Sequence, residues 1–462
     1  MVGPPSASTR ETAGAELPIG RIVEKVATAN DPGQQYALYL PTGYGAGDKP
    51  WPILIVLDPR GRAVPGVERF LPAAETHGYV VISSYQSRSD TLRQVNVDAL
   101  DALLTEVQER FSHDNRRLYL AGMSGTAHAA WRFAQFLGEH VAGVIAAGGG
   151  VQTRTQGPPG GARFAWYGIA GTADFNYQEV KELEEHLLAE GIDHRIAIFE
   201  GRHGWPPYEY TNRALDWMEL QAIKRGLAPP NPALVDAELA SARQAAESAD
   251  DPLVRLRRHR DLVRDFEGLS EMTADLAAVR ELEADPRTNQ RCSQERKLAN
   301  AERAYLSTRY GRWVPEMRNT ERRPPTVKEA LVALRIESLR KRAADRDDPS
   351  QAHSAQRTLE NVYVGVGFYF PQEFEKARDH ERMVRSLQIA VAIFPDRVGG
   401  HWRLAQACVL ARRHDLALEA LRSATAFGNV DLERLETDSA WEPLRGRPEW
   451  ARLLAEIKKT DT

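Results

Sequence analysis

The stretch Arg117–His128 reads RLYLAGMSGTAH and holds Ser124, the residue best placed for nucleophilic chemistry. A β-favouring run, LYLA, leads into Gly122-Met123-Ser124-Gly125-Thr126, and a helix-forming stretch follows. Strand, sharp turn and helix together lift a serine hydroxyl above a sheet edge on strained backbone. Small residues must flank such a serine, because a side chain two positions away would strike the strand or the helix. Gly122 meets that need on the near side. On the far side Thr126 stands where the pattern G-x-S-x-G has a second glycine. A lone G-x-S is a weak pattern; within the fifth strand of an alternating α/β series it gains weight.

A hydroxyl needs a base to become a nucleophile, and the base needs an acid to orient it. In the α/β fold class that carries such a turn, the chain order is serine, acid, histidine. Asp174 follows the apolar run Arg163–Ile169 in the turn AGTADFNY, and His203 follows RIAIF in the loop EGRHGWP. Ser124, Asp174 and His203 therefore each come just after a strand, at the carboxyl edge where open α/β sheets bind ligands. Plainer roles compete: Ser124 as a helix cap, Asp174 as an Asx-turn residue, His203 as an ordinary loop histidine. Asp58 and Asp90 are rival acids. His128 is nearest to Ser124 in sequence, but one helical turn on it points along the helix and reads as structural.

The elements that must hold these residues occupy the first half of the chain. Strands are predicted at 21–27, 35–40, 52–57, 79–84, 117–122, 144–147, 163–169 and 194–199. Helices are predicted at 67–77, 95–111, 126–137, 178–190 and 208–225. The first two strands have no helix between them and should pair antiparallel. From Pro52 onward strand and helix alternate, which implies a mostly parallel sheet. ILIVL and YVVIS are apolar on both faces, as strands covered by helices on both sides must be.

The character changes at Gly226-Leu-Ala-Pro-Pro-Asn-Pro232, which reads as a linker. Beyond it the pattern is helical, with apolar residues three and four apart and a break at Gly311–Pro325. His401–Gly428 resembles a tetratricopeptide repeat, with Leu404, Ala405, Cys408, Ala417, Leu421 and Ala424 at the small or apolar positions; Glu381–Pro395 matches half of another. The expected division is a disordered leader over 1–19, a catalytic domain over 20–228, a helical domain over 229–350 and a repeat-like region over 351–462. The Arg-rich runs at 255–264 and 340–346 read as solvated helix faces, and Tyr363–Phe370 as core.

Composition narrows the rest. The net charge is -4, from 60 basic and 64 acidic side chains, so no overall field draws in nucleic acid or anionic membrane. No apolar run approaches the ~20 residues of a membrane helix. Two cysteines, Cys292 and Cys408, exclude a disulfide scaffold and cysteine-rich zinc sites. The polar N-terminus reads as a leader or the remnant of a trimmed signal, which leaves cytoplasmic and exported locations both open.

In order, YALYLPTGY (36–44), PILIVLDPRG (52–61), RLYLAGMSGTA (117–127), GIAGTADFNY (168–177) and GRHGW (201–205) resemble the α/β-hydrolase family, in its putative-esterase, polyhydroxyalkanoate-depolymerase-like and dienelactone-hydrolase-like branches. The resemblance covers about residues 20–225. It implies an α/β-hydrolase fold of about eight strands and a serine esterase with Ser124 as nucleophile, Asp174 as acid and His203 as base. Neither a metal nor an organic cofactor is required. The oxyanion should rest on the N–H of Gly125 and on a second one after the third strand, where this chain has Asp58-Pro59-Arg60-Gly61. Proline has no N–H, so Arg60 is the expected donor. Gly61, Tyr85, Met123 and Trp205 are the expected substrate-lining residues. Expected partners are a small or polymeric ester and, through the C-terminal helices, another protein. A peptidase or amidase with the same triad, and a degenerate hydrolase acting as an interaction scaffold, are the alternatives.

Overall fold

The structure is a computed structural model that describes residues 17–45, 49–150, 164–428 and 430–460. Most of the expected leader, and the Gly/Pro-rich stretch 151–161 (VQTRTQGPPGG), which reads as a loop, lie outside these residues.

Eight strands form one sheet: β1 (Ile22–Ala27), β2 (Gln35–Tyr39), β3 (Trp51–Leu57), β4 (Val80–Ser84), β5 (His113–Met123), β6 (Val141–Ala147), β7 (Ala165–Gly171) and β8 (His194–Phe199). Their order is β1-β2-β4-β3-β5-β6-β7-β8. The pairs β1–β2 and β2–β4 are antiparallel, and every other pair is parallel. Side chains alternate across β3: Leu54 and Val56 enter one apolar core, and Ile53, Ile55 and Leu57 enter the other. Both faces are thus covered, as the unbroken apolar run requires.

Among the described residues, six helices accompany the strands: α1 (Ala63–Glu68), α2 (Leu71–His77), α3 (Arg93–Arg110), α4 (Gly125–Leu137), α5 (Tyr177–Ala189) and α6 (Tyr208–Lys224). The single helix expected at 67–77 is two, because Pro72 lies at the start of α2 and has no N–H to continue a helix from Glu68.

The first compact unit does not end at the linker near residue 228. It runs to Cys292. Helices α7 (Pro232–Glu247), α8 (Pro252–Phe266) and α9 (Thr273–Ala284) follow the linker. Val235, Leu239, Ala246, Leu262 and Phe266 join the same core as Leu54, Val56, Tyr119 and Trp217. Asp265, 1% exposed, pairs with Arg195 of β8. The helical pattern after Pro232 was readable; which core its apolar face would enter was not.

The second unit, Ser293–Thr462, is helical with its own core, built around Trp313, Leu339, Leu387 and Trp441. Helix continues through the expected break, over Gly311–Arg318, because Trp313 and Met317 are drawn into that core. Beyond it, the helices Val327–Ala333 and Ile336–Ala343 meet at Arg335, whose φ is 48°. The helix Pro349–Val364 runs into a π turn at Gly365–Tyr369. Ser386 Oγ donates to Val366 O at 2.6 Å and Arg403 Nη1 to Gly367 O at 3.0 Å, so the widened turn keeps its carbonyls bonded. Ala390, Ala405, Cys408, Ala417, Leu421 and Ala424 are all buried. No helix among the described residues is long and apolar enough to cross a membrane.

Candidate active site

Ser124 lies between β5 and α4 with φ 57° and ψ -125°, a backbone conformation that non-glycine residues rarely adopt. Its side chain makes no capping bond to α4, which removes the plain reason for a serine there. Its N–H donates to Ala147 O at 2.8 Å, and this ties the turn to the end of β6. Gly122 has no freedom to be larger: a methyl group there would lie 2.4 Å from Thr126 O. Thr126 is fully buried, and its hydroxyl is used. Oγ1 donates to Leu57 O at 2.6 Å and accepts from Met123 N at 3.0 Å. The departure from the second glycine thus adds a brace between the turn and the end of β3.

Asp174 and His203 meet. Asp174 Oδ1 is 2.8 Å from His203 Nδ1 and accepts from Asn176 N at 2.8 Å. The carboxylate is fully buried, and the His203 side chain is 17% exposed. The Phe175 ring packs on the His203 ring at 4.1 Å between centroids. The three residues share one neighbour, the dipeptide Gly148-Gly149 after β6. A methyl group on Gly148, whose φ is 56°, would lie 2.9 Å from Asp174 Oδ2 and 3.1 Å from the His203 ring. One on Gly149 would lie 2.9 Å from Ser124 O. Asn176 Nδ2 holds this segment by donating to Gly148 O at 2.8 Å.

His128 is occupied elsewhere. Its Nε2 is 2.7 Å from Glu179 Oε1, which also accepts from Gly150 N at 3.0 Å. Burial would raise the Glu179 carboxyl; the bond and charge of His128, the Gly150 N–H and the field of His203 together outweigh this and hold it below the usual range. Asp90, the other rival acid, has φ 54° and lies in the field of both His128 and His203. Desolvation nonetheless pushes its carboxyl up.

The expected second oxyanion donor is corrected by the turn after β3. Arg60 N donates to Asp58 Oδ1 at 2.8 Å, and Gly61 N donates to Asp58 O at 3.1 Å. Both N–H groups point into the turn and are spent there. Gly125 differs: as the first residue of α4, its N–H has no acceptor within the helix. Of the other expected lining residues, Tyr85 turns away and donates its hydroxyl to Glu24 O of β1 at 2.8 Å. Met123 is 6% exposed and packs in the core beneath the turn. Trp205 donates its indole N–H to Asp58 Oδ2 at 2.9 Å, joining the His203 loop to the turn after β3.

Asp58, read earlier as a rival acid, is therefore a structural hub. Besides Arg60 N and Trp205 it takes Arg62 N at 3.1 Å and the Arg62 guanidinium at 3.1 and 3.2 Å. Burial alone would raise its carboxyl; the Arg62 side chain, the two N–H groups and the indole hold it below the ordinary value. An Asp-Pro-Arg-Gly sequence is itself a turn signature, so this bonding was available from the residues. Asp58→Asn sets an amide against the donors of Trp205 or Arg62 and should cost about 1–3 kcal/mol at neutral pH. Because the folded-state pKa is lowered, the stability lost belongs to pH above the unfolded value of about 3.9 and vanishes as pH falls through the folded one. Urea unfolding of both proteins at pH 7 and at decreasing pH checks this; a gap that widens in acid contradicts it.

The sheet order, with a serine elbow after β5, an acid after β7 and a histidine after β8, defines an α/β-hydrolase fold followed by a helical region. No protein-family model matches the chain. No curated protein matches it by sequence. Among solved structures, the S-formylglutathione hydrolase of Staphylococcus aureus is similar at 15% identity over 44% of this chain and 99% of its own, with a TM-score of 0.34. A fluorophosphonate-binding serine hydrolase of the same organism shares 15% identity over 40% of this chain and 92% of its own, at 0.32. An esterase of Pyrobaculum calidifontis shares 13% over 46% and 88%, at 0.36.

Proposed function

We propose that the chain is a serine hydrolase that cleaves carboxylic esters through an acyl-enzyme intermediate. The observation that carries this reading is the strained, uncapped Ser124, set against the same glycine pair as the bonded Asp174–His203 couple. His203 Nε2 takes the Ser124 proton as Oγ attacks the ester carbonyl. Asp174 Oδ1 accepts the Nδ1–H bond, fixes the ring tautomer and stabilises the imidazolium. Gly125 N–H, at the positive end of α4, receives the developing oxyanion. Collapse expels the alcohol with the proton from His203. Water then repeats the route and frees the acid.

The test is turnover of a p-nitrophenyl ester panel by the full chain, with a fluorophosphonate as label and peptide mapping of the labelled residue. Turnover with one label per chain on Ser124 is expected. Absence of both overturns the proposal. An anilide panel run alongside separates an amidase from an esterase.

One observation favours a second reading, a degenerate hydrolase whose helical half binds a protein partner: the Arg60 and Gly61 N–H groups are spent. Catalytic turnover by the wild type rejects it.

A further inference from the structure

With those two N–H groups turned inward, Gly125 is the one expected backbone donor left for the oxyanion among the described residues. A missing oxyanion donor costs about 10²–10³ in kcat, so an active site of this kind needs another source. Ser89 stands in the gap. Its N–H donates to Pro59 O at 2.9 Å, which fixes the loop after β4 to the turn after β3. On its other side a methyl group on Gly125 would lie 2.8 Å from Ser89 Oγ and 3.0 Å from its Cβ. The hydroxyl therefore rests against the Cα of the residue that carries the first donor. Ser89 Oγ is buried and has no hydrogen-bond partner among the described residues. Ser87, two positions earlier, donates to Asp58 O at 2.8 Å. Folded proteins keep few buried hydroxyls unpaired, because desolvation without a partner is unfavourable. A group that gains its acceptor only when substrate reacts is one that a catalytic site does keep.

We propose that Ser89 is the second oxyanion donor, its O–H bonding the tetrahedral intermediate beside Gly125 N–H. The hydroxyl keeps its proton throughout and forms no covalent bond. The side chain replaces the backbone donor that Asp58 removes from the turn after β3. The proposal rests on Ser124 as the nucleophile.

Its test compares the full-length wild type, Ser89→Ala and Ser124→Ala on a p-nitrophenyl ester. Ser89→Ala should lower kcat about a hundredfold with KM within about threefold of wild type. Its melting temperature should stay level or rise, because the change deletes an unpaired buried hydroxyl. Affinity for a trifluoromethyl ketone, whose adduct oxygen takes the place of the oxyanion, should weaken by the same factor as kcat/KM. An unchanged kcat in Ser89→Ala, with Ser124→Ala inactive, overturns the role of Ser89 and leaves the nucleophile standing. A lower kcat accompanied by a lower melting temperature and unchanged ketone affinity assigns Ser89 to packing, and also overturns it. Undiminished turnover by Ser124→Ala overturns the nucleophile, and the role of Ser89 with it.

Discussion

Replacing Ser124 with glycine should remove ester turnover by about 10⁶-fold and leave the protein more stable than before. The two effects have one origin. The φ of 57° and ψ of -125° put the Ser124 Cβ where backbone crowds it. Strain of this kind costs roughly 1–3 kcal/mol and persists where the surroundings impose it. Those surroundings are the Ala147 O bond, the Thr126 brace and the close approach at Gly122. Glycine adopts the conformation freely, at an unfolded-state entropy cost of about 0.5–1 kcal/mol. A net gain of about 1 kcal/mol should remain. Steady-state kinetics and urea unfolding of the same preparation check both. A serine kept for packing would give the reverse, with activity retained and stability lost.

The second large effect is expected of Asp174→Asn, a fall in kcat of about 10⁴-fold with the fold intact. Asp174 Oδ1 accepts from two N–H groups, His203 Nδ1 and Asn176 N. An asparagine that keeps its carbonyl toward Asn176 turns an NH₂ toward the ring or leaves Nδ1 with a weaker acceptor. When the NH₂ faces Nδ1, Nδ1 must accept and the proton moves to Nε2. A protonated Nε2 faces Ser124 as a donor and takes nothing from it. The imidazolium that follows attack would also lose its neighbouring charge in a buried setting. The loss should appear in kcat, with KM little moved and far-UV and near-UV circular dichroism unchanged. A fall of less than tenfold would remove Asp174 from the mechanism and return Asp90 to consideration.

The placement of Ser124, Asp174 and His203 after β5, β7 and β8 could be read in the residues, and the reason is geometric. A strand–turn–helix around Gly122-Met123-Ser124 has few ways to fold, and Asp174 and His203 each follow a short apolar run that reads as a strand. The Arg60 expectation failed because it counted N–H groups along the backbone and ignored the carboxylate two residues earlier. Ser89 gave no local signal at all. Its place depends on β4 lying beside β3, a pairing made across the sheet. The first unit runs past residue 228 for a similar reason: periodicity shows that Val235, Leu239 and Phe266 share apolar helix faces, and only tertiary packing shows which core receives them.

The bonds that join neighbouring loops have a consequence for motion. Thr126 ties the elbow to Leu57, Trp205 ties the histidine loop to Asp58, and Ser87 and Ser89 tie the loop after β4 to Asp58 and Pro59. Three neighbouring segments are thereby stitched to three consecutive residues, Leu57-Asp58-Pro59. Independent loops fray at separate rates; stitched ones open together. Amide hydrogen exchange should therefore find one opening event across residues 58–62, 85–89 and 201–205. Inserting a residue into any of these loops would then slacken the others, so the three loops would evolve as a unit.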